Sequence, residues 1–186
     1  GSAAMAVIAP IWNIIYSFGL LCGIGGSVIY AVARGERDDV KEANGYFTSA
    51  FILGAIWALI LWVLVWVCEE PLLRLFGAND ALMPLCKEYM VAPKLTVPVY
   101  VFINLLSSFL RNDGDPGRAT KAVIFGGIFN VFGDYFFVFT LDMGIKGAGI
   151  ATAMGASMSV LVMLTHFIGK KNTLKFVKPL RILNSF

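Results

Sequence analysis

The residue of this 186-residue chain best placed to do chemistry is Asp134, the only charged side chain between Lys121 and Asp142. A carboxylate in so apolar a stretch costs a few kcal/mol or more in lipid, and such residues usually face a cavity or a partner. Asn130 precedes it by four residues, which on a helix puts both side chains on one face, about 6 Å apart along the axis. An amide oxygen and a carboxylate at that spacing can ligate a cation or share a proton. Thr152, in the next apolar run, adds a hydroxyl at matching depth. From the rise per residue, Asp134 falls about 10 Å and Thr152 about 8 Å below the same end of two antiparallel helices. Asp134, Asn130 and Thr152 are therefore the predicted cation- or proton-binding residues, with no cofactor. Two competing readings stand beside this one. Asp134 lies close enough to the outer interface to be merely solvated, and Thr152 bonds its own i−4 carbonyl, as most Thr in membrane helices do.

The composition is that of an integral membrane protein. Apolar residues make up 58% of the chain and charged residues 15%, whereas an ordinary soluble domain carries about 25% charge. Mean hydropathy is +0.77. No Asp, Glu, Lys or Arg occurs from Gly1 to Ala33, so a water-facing shell cannot be assembled there. A bilayer core of about 30 Å needs roughly 20 apolar residues in a helix. Five segments satisfy that length: about 4–33, 46–68, 89–110, 119–141 and 147–167. The third is the weakest, because Lys94 sits near its start and Pro93 and Pro98 must kink or break it. The fold class is all-α, a polytopic membrane helical bundle.

Orientation follows from lysine and arginine. One side collects Arg34, Arg37, Lys41, Arg111, Arg118, Lys121, Lys170, Lys171, Lys175, Lys178 and Arg181, and the other only Arg74, Lys87, Lys94 and Lys146. The first group is cytoplasmic, so the chain starts outside. A start inside an apolar run on the outer side, with no secretory leader, predicts a preceding helix and hence a piece of a longer protein. Residues 70–80 read as a short amphipathic turn of helix on the outer surface. The membrane bundle is assigned to 1–169, and 170–186 to a basic cytoplasmic linker towards further protein.

Several functions are excluded at this stage. The basic residues form no stripe, so nucleic acid has no footprint to bind. Cys22, Cys68 and Cys86 are too few and scattered for a disulfide framework or zinc site, although Cys68 and Cys86 share one side. His166 has no triad around it and is read as an interfacial residue. Gly23-Ile-Gly25-Gly26-Ser27 lacks the third glycine of a dinucleotide loop. The glycines are read as packing residues instead. Gly147, Ala151, Gly155 and Ser159, four apart, predict one tight helix contact.

The segment Phe109-Leu-Arg-Asn-Asp-Gly-Asp-Pro-Gly-Arg118, followed by Asn130-Val-Phe-Gly-Asp134 and then Met143-Gly-Ile-Lys-Gly-Ala-Gly-Ile-Ala-Thr152, resembles the multidrug and toxic compound extrusion (MATE) family. Residues 1–10, Gly23-Ile-Gly25-Gly26-Ser27 and Pro71-Leu-Leu-Arg-Leu-Phe-Gly77 are similar to further parts of it. The resemblance implies helices two to six of a twelve-helix transporter, that is, five transmembrane helices of one lobe. It also implies a cation site built from Asn130, Asp134 and Thr152 together with an Asp on helix one, which is absent from this chain, as is the C-terminal lobe.

The function expected is secondary active multidrug efflux, exporting organic, mostly cationic compounds across the plasma membrane in antiport with Na⁺ or H⁺. The partners expected are small organic cations, membrane lipid and the remaining helices of the same protein. A lipid-linked glycan flippase of the same superfamily is the alternative, and a basic central cavity would favour it. A membrane enzyme is disfavoured by the lack of a nucleophile, metal cluster or acid/base pair at membrane depth. An inactive truncated product is a further reading.

Overall fold

The computed structural model describes residues 2–36, 38, 40–170 and 172–176. Among them the regular elements are all helical: α1 (Ser2–Glu36), α2 (Val40–Val67), α3 (Glu69–Leu75), α4 (Met83–Tyr89), α5 (Val91–Asn112), α6 (Pro116–Asp134) continued by a π-helical stretch (Tyr135–Thr140), and α7 (Gly144–Leu164) with a 3₁₀ turn (Thr165–Ile168). Five helical stretches are long and apolar enough to cross a bilayer: Ala3–Glu36, Val40–Val67, Met83–Asn112, Pro116–Thr140 and Gly144–Ile168. Each contains or overlaps one of the five spans expected from hydropathy. The chain is a multi-pass membrane protein.

The outer surface turn holds one short helix, α3, and the third span is in two parts, α4 and α5 meeting at Met90. Pro98 lies inside α5 without ending it. Proline has no N–H to give the carbonyl four residues before it, which here is that of Lys94. The indole N–H groups of Trp62 and Trp66 on α2 donate to that oxygen instead, at 2.6 and 3.0 Å. The Lys94 ammonium bridges to Glu69 at 2.7 Å and lies 4.9 Å from the centre of the Trp66 ring. A proline that would weaken the span becomes a junction between α2, α3 and α5.

Lipid tails are as apolar as leucine, so helices in a bilayer are held by close packing and interhelical hydrogen bonds rather than by escape from water. The apolar outer faces bear this out, with Leu59, Val131, Phe132 and Phe139 exposed. The tightest contact is α6 against α7. A β-carbon at Gly155 would lie 2.5 Å from the Gly126 carbonyl oxygen and 2.9 Å from the Asn130 β-carbon. Ser159 donates its hydroxyl to the Ala122 carbonyl at 2.9 Å. Gly147, Ala151, Gly155 and Ser159 are all buried, so the four-residue repeat marks this contact. On the other side, α1 passes close to α5, where a β-carbon at Gly23 would meet the Asn104 carbonyl oxygen at 2.7 Å.

Gly155→Ala should therefore cost about 1–3 kcal/mol, because the extra carbon strikes backbone that cannot turn aside. Gly127→Ala, where a β-carbon meets nothing within 4 Å, should be neutral or stabilising. Unfolding of the two variants in detergent checks the pair, and equal stabilities would contradict it.

Candidate functional site

Asn130 and Thr152 come together across the α6–α7 contact, because the glycine at 155 lets the Asn130 β-carbon approach α7 one turn from Thr152. Both line a cavity of about 540 Å³ whose other walls are Trp12, Asn13, Ile15 and Tyr16 of α1 and Tyr100 of α5. Trp12 and Tyr100 meet edge to face with centroids 5.3 Å apart, an arrangement that fixes the orientation of both rings. Thr152 also borders a second, more apolar cavity of about 640 Å³ lying between α1 and α7, which includes Met5, Ile8, Tyr89 and Val138. The Thr152 hydroxyl donates to the Ala148 carbonyl at 3.0 Å. Its proton is thus engaged by its own helix, and its oxygen lone pairs remain for a ligand.

Asp134 stands one turn beyond Asn130, half-buried, as the last residue of α6. It makes no hydrogen bond or ion pair with the described residues, and it is not among the residues lining either cavity. The structure therefore joins two of the three predicted residues in one cavity and leaves the carboxylate beside them. The π-helical stretch Tyr135–Thr140 begins directly after it. Bonds from i to i+5, such as Leu141 N–H to the Phe136 carbonyl at 2.9 Å, widen the helix and re-aim the residues beyond Asp134. Such stretches are frequent at functional sites, and hydropathy carries no signal of them.

A second polar centre lies at the opposite end of the bundle, and there the sequence reading is corrected. His166 is fully buried, between two carboxylates, rather than solvated at an interface. Its Nε2 lies 2.7 Å from Asp113 Oδ2 and its Nδ1 2.9 Å from Asp115 Oδ2. Carboxylates only accept, so the form that satisfies both contacts is the imidazolium, donating from each nitrogen. Arg118 Nε donates to Asp115 at 2.8 Å, and its Nη1 to the Thr165 hydroxyl at 2.6 Å. Asp113 also accepts from the Tyr30 hydroxyl at 3.2 Å, from the Thr173 N–H at 2.9 Å and from the Thr173 hydroxyl.

This cluster ties α1, the α5–α6 turn, the end of α7 and residues 172–176 together. Gly114, at φ +78°, makes the turn that points both aspartates at one imidazole. Leu174 is buried with it, and the Asn44 side chain brackets Thr173 and Lys175. Of the expected linker 170–186, Lys171 and 177–186 lie outside the described residues; 172–176 are held against the bundle. His166 and the Asp113-Gly-Asp115 turn both sit at the end rich in Lys and Arg, which is the one feature of the sequence that places them at a common depth. Cys22, Cys68 and Cys86 are free thiols.

The MatE family model matches residues 2–136. The chain belongs to the MatE family. It is 25% identical over 183 residues to the multidrug export protein MepA of Staphylococcus saprophyticus, covering 95% of this chain and 40% of MepA. MepA of Staphylococcus haemolyticus is 23% identical over 176 residues, 94% of this chain and 38% of that protein. An inward-facing multidrug resistance MATE family transporter of the MOP superfamily superposes with a TM-score of 0.87 at 25% identity, over 98% of this chain and 42% of that one. A MATE structure in the bent conformation superposes with a TM-score of 0.82 at 27% identity, over 99% of this chain and 40% of that one. This MatE chain thus spans about 40% of the length of its relatives. Its family is one of multidrug efflux transporters, and its five apolar helices fit a plasma-membrane location.

Two stability outcomes separate the polar centres. His166→Leu should cost about 3–5 kcal/mol, since it strands two buried carboxylates. Asp134→Asn, which breaks no contact, should stay within about 1 kcal/mol of the parent. Thermal unfolding in detergent reads both, and the reverse order would refute the assignment. Asp115 adds a pH dependence. Burial pushes its carboxyl up, but hydrogen bonds from His166 and Arg118 and the charge of Arg118 outweigh it, leaving the group below its ordinary value of 3.8. Its stabilisation is complete above that ordinary value and is lost as pH falls through the lowered folded one. The unfolding midpoint should therefore drop below about pH 4, and Asp115→Asn should flatten that part of the profile.

Proposed function

We propose that this chain supplies five helices of one lobe of a secondary multidrug antiporter, exporting organic cations in exchange for Na⁺ or H⁺ bound at Asp134, Asn130 and Thr152. The observation that carries the reading is the cavity of about 540 Å³, which combines aromatic walls from Trp12, Tyr16 and Tyr100 with the oxygens of Asn130 and Thr152. Aromatic faces attract organic cations through the ring quadrupole. Asp134, which makes no hydrogen bond or ion pair with the described residues, stands one helical turn away, where a coupling ion and a cationic cargo would compete for a single negative charge. Binding of either disfavours the other, and that competition is the coupling. No Lys or Arg lines the cavity, which speaks for cationic cargo over the anionic headgroup of a lipid-linked glycan.

Two similar lobes rocking about a central site would complete the cycle, as in other secondary transporters. The carboxylate expected on a preceding helix and the second lobe would be supplied by the rest of the same protein.

The test is efflux of a fluorescent organic cation from vesicles carrying the complete reading frame, under imposed Na⁺ or pH gradients. Gradient-driven efflux should appear and should fall at least about tenfold in Asp134→Asn at equal expression, the loss of roughly 1.4 kcal/mol or more of coupling. Thr152→Val should reduce it less, since it removes one neutral ligand. Efflux unchanged by Asp134→Asn would overturn the site. Efflux absent from the parent protein would overturn the cargo.

A further inference from the structure

A third cavity, of about 530 Å³, opens between the start of α6 and the end of α7, with Arg118, Lys121, Thr165 and Lys170 in its wall and Asp115 beside them. It lies on the face that carries the Lys and Arg excess, away from the Asn130 cavity. Its charges do not balance. Arg118 is engaged by Asp115 and Thr165, and the Asp115 carboxylate takes His166 as well as Arg118. Lys121 and Lys170 are exposed and make no ion pair or hydrogen bond with the described residues. Two ammonium groups are thus left over at the cavity, and the positive end of the α6 dipole adds to them.

The surroundings on the membrane side are apolar. One turn deeper than Lys121 on α6 stand Ile124 and Phe125, 58% and 41% exposed, and one turn deeper than Thr165 on α7 stands Leu161, 56% exposed. A cationic cavity with exposed apolar side chains one turn deeper on both of its helices is matched by an amphiphile with an anionic head. A free phosphate would use the lysines and leave the apolar side chains unaccounted for, and a zwitterionic lipid would gain little from two uncompensated ammonium groups.

We propose that this cavity binds the phosphodiester headgroup of an anionic membrane lipid, with Lys121 and Lys170 contacting the phosphate and the acyl chains lying along Ile124, Phe125 and Leu161. Lipid held there rests against both α6 and α7 beside the His166 cluster, and so braces the end of the bundle where four segments meet.

The experiment compares the protein in vesicles of phosphatidylcholine containing phosphatidylglycerol, followed by extraction and native mass spectrometry of retained lipid. Phosphatidylglycerol should be retained in preference to phosphatidylcholine. The Lys121→Gln/Lys170→Gln double variant should lower that preference about tenfold or more. Lys41→Gln/Lys146→Gln, which removes the same charge from exposed sites elsewhere, should leave it unchanged. Both pairs are exposed, so both variants should keep the parent unfolding midpoint. Equal retention by the two double variants, or phosphatidylcholine retained as well as phosphatidylglycerol, would overturn the proposal. Displacement of the lipid by inorganic phosphate at equal concentration would overturn it too, by reducing the cavity to a phosphate site.

Discussion

Within a bilayer no water is at hand to satisfy a backbone carbonyl or a carboxylate, and every such group must find its partner inside the protein. The arrangement of this chain follows from that constraint more than from burial of apolar surface, since its leucines and phenylalanines are as comfortable facing lipid as facing each other. Helices approach where glycine, alanine and serine allow it, and Ser159 reaches across to the Ala122 carbonyl at the point of closest approach. The oxygen that Pro98 leaves without a donor is taken by two tryptophans of a neighbouring helix. In each case an unsatisfied polar atom, rather than an apolar face, selects the partner helix.

The two ends of the bundle answer the constraint in opposite ways. At the end rich in lysine and arginine, the two nitrogens of His166 meet the carboxylates of Asp113 and Asp115, and Arg118 meets Asp115, in one closed set. Such a set is rigid, because moving any one segment exposes a buried ion. Towards the other end, Asp134 makes no hydrogen bond or ion pair with the described residues, and the nearby polar groups, Asn130 and Thr152, face a cavity. The closed cluster suits a fixed hinge for α6 and α7, and the open site suits a ligand.

The α6–α7 pair connects the two ends. One glycine-lined contact runs from Gly126 and Gly155 near the middle to Gly133 and Ala151 further along, and it carries Asn130 and Thr152 on one flank. The same pair closes at His166.

Membrane residence, the number of spans and their approximate ends were legible in the sequence, because each depends on local composition measured against the thickness of a bilayer. The four-residue repeat from Gly147 to Ser159 was legible too, since a helix turns its spacing into a face. Only the tertiary structure decided what those faces meet. It turned His166 from an interfacial residue into the centre of a buried ion cluster, because its partners lie 51 and 53 residues away in the chain. It brought Asn130 and Thr152 to one cavity while leaving Asp134 outside the lining, and it placed a π-helical stretch after Asp134 that no hydropathy pattern signals. The physical reason is common to all three. Depth in the membrane can be counted along one chain, but which side of a helix turns towards which neighbour depends on the packing of all of them at once.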